Sequence, residues 1–312
     1  MQDKTDSNSA IENPPRSGIL RAALSANAMF SAASGILMLL QPNLVASWLG
    51  IDALWLLQCI GAGLLLFAAD LVHQATRARM ASWRALLSSL ADFGWVGGTV
   101  LLLLGFPSIF SPQGTIISLS VAALVLLFGI LQLTGIHRLH RTPDGRLLRH
   151  CIVVGVNSSA DTMWATIEKI GEISRHMPSL KSSKIRHEAP PGVGCVRECE
   201  DRSGKRWAEQ CTLLNPQSHR FDVEFLCDEP GFPFPASEMR GGWQVLSESP
   251  ASCEVMVWWE LQTKPRWLAP VILPLLAFQA DRDFPRVIRR MAAADSDVGH
   301  AQVTSRLIPR FC

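Results

Sequence analysis

The chain has 312 residues, 48% of them apolar and 18% charged, and a net charge of +2. This length accommodates two domains, and the near-neutral balance without a strongly basic face excludes a nucleic-acid footprint. Cys195 and Cys199 stand close in sequence but have no partner pair or His pattern beside them, so no structural zinc site and no metal is expected.

Residues 1–17 form a polar tail. Four apolar runs follow at 18–40, 53–75, 85–106 and 115–137. Each approaches or exceeds the roughly 20 residues needed to cross a hydrocarbon layer about 30 Å thick. The tail carries Asp3, Asp6 and Glu12, which fits a cleaved signal poorly, so the first run is expected to be retained. Lys4, Arg16 and Arg21 accompany the first run, and no Lys or Arg lies in 41–52. Arg77, Arg79 and Arg84 separate the second and third runs, 106–114 has none, and Arg138, Arg141, Arg146 and Arg149 follow the fourth. The positive-inside rule then places both termini in the cytoplasm of a multipass inner-membrane protein, with the lipid bilayer as partner. On that side the cysteines after the fourth run are expected to be reduced core residues. Small residues between Ser25 and Gly35, and Gly94 with Gly98, predict close packing in a compact four-helix bundle. Asp92 lies roughly 10 Å into the third span and is expected to face the interior, hydrogen-bonded between helices rather than serving a proton or ion relay.

Residues 138–150 read as a basic linker with a turn at Pro143-Asp144-Gly145. A dozen residues extend at most about 40 Å, which keeps the following domain beside the bilayer. From Cys151 the pattern changes. A strand at 151–157 leads into a helix capped by Ser158, Ser159 or Asp161, and a second short helix ends at Pro178. Strands are predicted at 181–188, 193–201, 205–214, 218–227, 238–248 and 251–262. A helix over 271–293, kinked at Pro285, and a polar tail at 295–312 complete the chain. The fold class is thus a four-span α-helical membrane bundle followed by an α+β domain, 151–294.

Strand register can be read at two hairpins. A loop at Arg202-Ser203-Gly204 sets Cys199 opposite Trp207, Arg197 opposite Glu209 and Cys195 opposite Cys211, all on one face. In the last hairpin Trp243, Val245, Cys253, Val255, Val257 and Trp259 share an apolar face, and His219, Phe221, Val223 and Phe225 share one before it. Gly241-Gly242 predicts a bulge.

From Val153 to Met291 the chain resembles the START-like superfamily, which includes polyketide cyclases/dehydrases, coenzyme Q-binding proteins and Bet v 1-type proteins. The residues that carry the resemblance run in order: Val154 to Asn157 before Ser158-Ser159-Ala160-Asp161 and Met163-Trp164, then Pro178-Ser179-Leu180. Gly192-Val193-Gly194 stands before Arg197, followed by Trp207-Ala208-Glu209 and Gly242-Trp243-Gln244-Val245. The resemblance implies a helix-grip fold, a curved antiparallel sheet around the long C-terminal helix with an apolar cavity between. Its lining would include Trp207, Glu209, Phe221, Val223, Phe225, Trp243, Val245, Val257, Trp259 and Phe284. Arg197 and Glu209 would orient a ligand or act as acid and base, or simply form a structural ion pair, the preferred reading. His219 is expected at the rim. No cofactor is implied. The implied function is a membrane-anchored domain that binds or carries a lipid, isoprenoid or polyketide-like ligand. The alternatives are a cyclase or dehydratase, and a non-catalytic membrane regulator. The apolar segment Trp267 to Phe278 is expected to be a buried helix start; the competing reading has Trp267 and Leu268 entering lipid headgroups.

Overall fold

The computed structural model describes residues 17–294 and 303–308. The polar N-terminal tail, up to residue 16, lies outside the described residues. The chain divides into two compact units, with the boundary between Leu139 and His140.

The first unit contains α1 (Gly18–Leu40), α2 (Pro42–Leu49), α3 (Leu54–Thr76), α4 (Ser82–Gly105) and α5 (Pro112–His140). All but α2 are long and apolar enough to cross a membrane. The short α2 occupies the link after the first span. It starts on Pro42, whose missing N–H costs nothing there, and stops at Gly50 in the left-handed conformation. α1 and α3 meet at two glycines: a Cβ on Gly35 would lie 2.7 Å from the Gly61 carbonyl oxygen. α5 approaches α1 at Gly135, where a Cβ would come 2.7 Å from the Leu20 Cα. The expected close contact at Gly94 and Gly98 is not made, since both face open space. At about 100° per residue, burial of Ser88, Ser89 and Asp92 on the inner face of α4 turns Gly94 and Gly98 outward.

The second unit runs β1 (Leu148–Val156), α6 (Ala160–Ile167), a 3-10 turn at Ile170–Arg175, then β2 (Leu180–Ile185), β3 (Val196–Asp201) and β4 (Arg206–Asn215). It continues with β5 (Arg220–Phe225), β6 (Ala236–Ser249), β7 (Ser252–Thr263), α7 (Ala269–Ala294) and β8 (Ser305–Ile308). The strands form one antiparallel sheet in the order β2-β3-β4-β5-β6-β7-β1-β8, and α7 packs against β1, β7 and α6. This is a helix-grip architecture. Ser159 caps α6, its Oγ accepting from the Thr162 N–H at 3.1 Å. The core between sheet and helix is built on Ile152, Val154, Phe221, Val255, Leu273 and Ile288.

Both predicted hairpin registers occur: Arg197 pairs with Glu209 and Cys199 with Trp207, and Trp243 with Val257 and Val245 with Val255. Three expectations change. The segment 295–312, read as a polar tail, contains β8, which pairs with Val153–Val156 and covers that edge of β1. Gly241 and Gly242 stay in continuous register, and the reason for Gly242 is space: a Cβ there would lie 2.6 Å from the Trp258 ring. Cys151 is disulfide-bonded, whereas Cys59, Cys195, Cys199, Cys211, Cys227 and Cys253 are free thiols. α7 continues through Pro274 and Pro285 as a single helix.

Candidate functional site

The functional candidates lie on the inner face of the sheet, with Trp243 and Trp259 against Phe284 of α7 and Arg197 and Glu209 beside the turn at Ile170. Period-two alternation brings Phe221, Val223 and Phe225 from β5, Trp243 and Val245 from β6, and Val257 from β7 into the buried core. Trp207, Trp259 and Phe284 pack against it, half-buried. Two aromatic groups result. One joins Trp207, Phe225 and Phe232 around Phe234, with ring centroids 5.2 to 6.2 Å apart. The other sets Phe284 of α7 against Trp259 at 4.9 Å and Trp243 at 5.5 Å. Edge-to-face contacts of this kind add about 0.5–1.5 kcal/mol beyond area burial.

Arg197 and Glu209 are both 5% exposed. The Arg197 Nη2 donates to Glu209 Oε2, Nη1 donates to the Ile170 carbonyl at 2.9 Å, and the guanidinium lies 5.5 Å over the Phe221 ring. The indole N–H of Trp207 donates to the other Glu209 oxygen at 2.6 Å. Burial works against the Arg197 charge, but the adjacent Glu209 carboxylate outweighs it and holds the guanidinium above its ordinary value. One polar atom is left over. Arg197 Nε is buried with no acceptor among the described residues. Beside the pair, burial pushes the Cys199 thiol up to about 12 and Cys211 up to about 11, which makes both poor nucleophiles.

His219 does not join this group. It precedes β5 with a left-handed φ of 45°, stacks on Trp164 of α6 at 5.6 Å, and its Nε2 lies 3.4 Å from Asp161.

A second polar pair was not visible from the sequence. His150 of β1 is 8% exposed, pairs across the ladder with Trp259 and stacks on its ring. Its Nε2 lies 3.4 Å from Asp281 Oδ1 on α7. The His140 ring is 5.7 Å from that of His150, and His140 Nδ1 lies 3.0 Å from the Arg149 carbonyl oxygen. The strand prediction began at Cys151, one residue too late to include His150, and no local pattern links it to Asp281.

The start of α7 divides its residues. Ala269, Leu273 and Ala277 are buried, but Trp267 is 75% exposed, and Val271, Leu275 and Phe278 continue an exposed apolar stripe at helical spacing. The expected burial holds for one face only.

No family model and no curated protein matches this chain. Solved structures similar to it over the C-terminal half include a norcoclaurine synthase point mutant from Thalictrum flavum, 19% identical, covering 48% of this chain and 98% of that one, with a TM-score of 0.37. The Zhui aromatase/cyclase from Streptomyces sp. R1128 is 13% identical, covering 47% and 92%, with a TM-score of 0.39. The protein XoxI from Bacillus cereus is 14% identical, covering 48% and 96%, with a TM-score of 0.38.

Proposed function

We propose that this chain is a multipass membrane protein whose helix-grip unit binds an apolar ligand bearing a hydrogen-bonding oxygen, of the lipid, isoprenoid or polyketide-like class. The observation that carries the reading is the buried Arg197 Nε without an acceptor among otherwise aromatic and aliphatic inner-face residues. Leaving such a donor unsatisfied costs about 1–3 kcal/mol, which a ligand carbonyl or hydroxyl oxygen would recover. An open groove of about 510 Å³ borders Ile170 and Ile185. The Ile170 carbonyl accepts from Arg197, so in this reading a ligand would reach the arginine by displacing the turn that carries Ile170, whose outer side this groove borders together with Lys169, Glu172, Arg175 and Lys184. Binding is favoured over turnover because both Glu209 oxygens are already engaged, leaving no free base at that position.

One observation favours the enzyme reading, a cyclase or dehydratase. His150 and Asp281 place an imidazole and a carboxylate together on the inner face. Native mass spectrometry of the full-length protein extracted from its membrane separates the possibilities. A bound apolar molecule supports binding, and its chemical conversion on standing, lost in His150→Gln, supports catalysis. An empty protein that rejects added isoprenoid and fatty-acyl ligands would leave the regulator reading.

The arginine alternation favours an inner-membrane location with both termini cytoplasmic, whereas the Cys151 disulfide favours the helix-grip unit on the oxidising side. Reporter fusions after Gln113 and Arg149 decide between them. Cytoplasmic signal at Arg149 upholds the first orientation.

A further inference from the structure

We infer that Asp92 is a proton-binding site in the helical unit, reached from one end through a ladder of polar side chains on α3 and α4. Asp92 is 3% exposed, and Asn27 and Gln132 are more deeply buried still. Asn27 Nδ2 donates to both Asp92 oxygens, at 3.1 and 2.9 Å, and Gln132 Nε2 donates to Oδ2 at 2.9 Å. Ser31 and Ser89 hold the two amide oxygens, each at 3.2 Å. The groups facing Asp92 from α1, α4 and α5 are therefore neutral. Arg84 stands two turns away on the same helix, about 12 Å along the axis, and is committed to Asp70.

A carboxylate held by amides alone in an apolar bundle bears its desolvation cost without a counter-charge. Uptake of a proton removes that charge, and the surrounding groups can accommodate the neutral acid. Rotation of the Gln132 amide by half a turn presents its oxygen to the new Asp92 O–H and its N–H to Ser89 Oγ. The single Ser89 hydrogen then turns from the Gln132 oxygen to the Ala85 carbonyl, 3.1 Å away, so Asp92, Gln132 and Ser89 keep partners in either state.

The route to Asp92 is visible in the spacing. Arg84, Ser88 and Asp92 fall at i, i+4 and i+8 on one face of α4. Gln74 of α3 donates to Ser88 Oγ at 3.1 Å and to Asp70 Oδ2 at 2.5 Å. Its own Oε1 is buried with no partner among the described residues. An open cavity of about 360 Å³ lined by Asp70, Arg84 and Ser88 supplies the mouth. From Ser88 to Asp92 is one turn, about 6 Å, a gap that one water molecule bound to the vacant Gln74 acceptor would span. A proton from a hydronium ion at the mouth passes inward along these oxygens and ends on an Asp92 oxygen.

The test is an infrared pH titration of the full-length protein in phosphatidylcholine nanodiscs. The expected result is a neutral-carboxyl band that grows as pH falls, shifts in heavy water and is missing in Asp92→Asn. Gln74→Leu, which removes the vacant acceptor, should keep the band and slow its shift several-fold. A carboxylate at every pH at which the protein stays folded would overturn the proton site, and an unslowed shift in Gln74→Leu would overturn the ladder. Should Asp92→Asn fail to fold, labelling of the wild-type protein with an apolar carbodiimide serves instead, because that reagent attacks protonated buried carboxyls. Label mapped to Asp92 supports the site, and label confined to other acids refutes it.

Discussion

In the helix-grip unit, Arg197 and Glu209 oppose each other across one hydrogen-bonded strand pair, 12 positions apart in the chain. In the helical unit, Asp92 meets Asn27 and Gln132 from helices 65 and 40 positions away. The first arrangement cancels charge with charge inside a rigid ladder. The second surrounds a single ionisable group with neutral amides that can reverse their polarity. The contrast teaches that a charge paired with its opposite fixes geometry, whereas a charge held only by amides depends on groups that can turn over. Removing one partner should accordingly be far more costly in the first unit than in the second.

Glu209→Ala offers the most severe test of that difference. It strands a fully buried guanidinium and should cost about 3–5 kcal/mol, read as a lowered denaturation midpoint of the helix-grip unit. Combining it with Arg197→Met should restore most of the loss while abolishing ligand binding. A double variant as unstable as the single one would show that something other than the stranded charge was responsible.

Gly242→Ala comes next. Its Cβ would press on the Trp258 ring, and overpacking of that kind costs about 1–3 kcal/mol. Gly98→Ala in the helical unit meets open space and should leave thermal stability of the nanodisc-held protein unchanged. Equal effects from the two would mean that the outer face of α4 is covered.

Alkaline pH sharpens the contrast between charged and neutral burial within the sheet. Burial pushes Cys199 and Cys253 to about 12, from 9.0 for the unperturbed thiol. The folded state keeps these protons after the unfolded chain has lost them. Stability is therefore unaffected below pH 9 and falls as pH rises from there toward about 12. Urea midpoints across that window should decline less in Cys199→Ala than in the wild type.

The smallest effect is expected at Trp267, exposed at the start of α7. Trp267→Ser should change stability by no more than about 0.5 kcal/mol. A larger loss would place this side chain in a packed contact.

Local order made much of this molecule legible in advance. Hydropathy located the four long helices to within a few residues of Gly18–Leu40, Leu54–Thr76, Ser82–Gly105 and Pro112–His140. Period-two alternation and one three-residue loop set Arg197 opposite Glu209, because a short hairpin leaves a strand pair few alternative registers. The expectation that Asp92 turns inward followed from the cost of exposing it. Its partners did not, since which helices meet depends on how glycines such as Gly35, Gly61 and Gly135 let backbones approach.

The same limit explains the other surprises. The His150–Asp281 contact joins the first strand to the last long helix, and β8 is only four residues long, too short to carry a period of its own. Gly242 resembled a bulge because a glycine pair records only that a side chain is missing, and the Trp258 ring that needs the space comes from the next strand. What the chain determines by itself is the burial of each residue relative to its near neighbours, a property of spacing along one helix or strand. Which buried groups then touch was decided only by the tertiary structure, because contacts between elements far apart in sequence depend on how all of them pack at once.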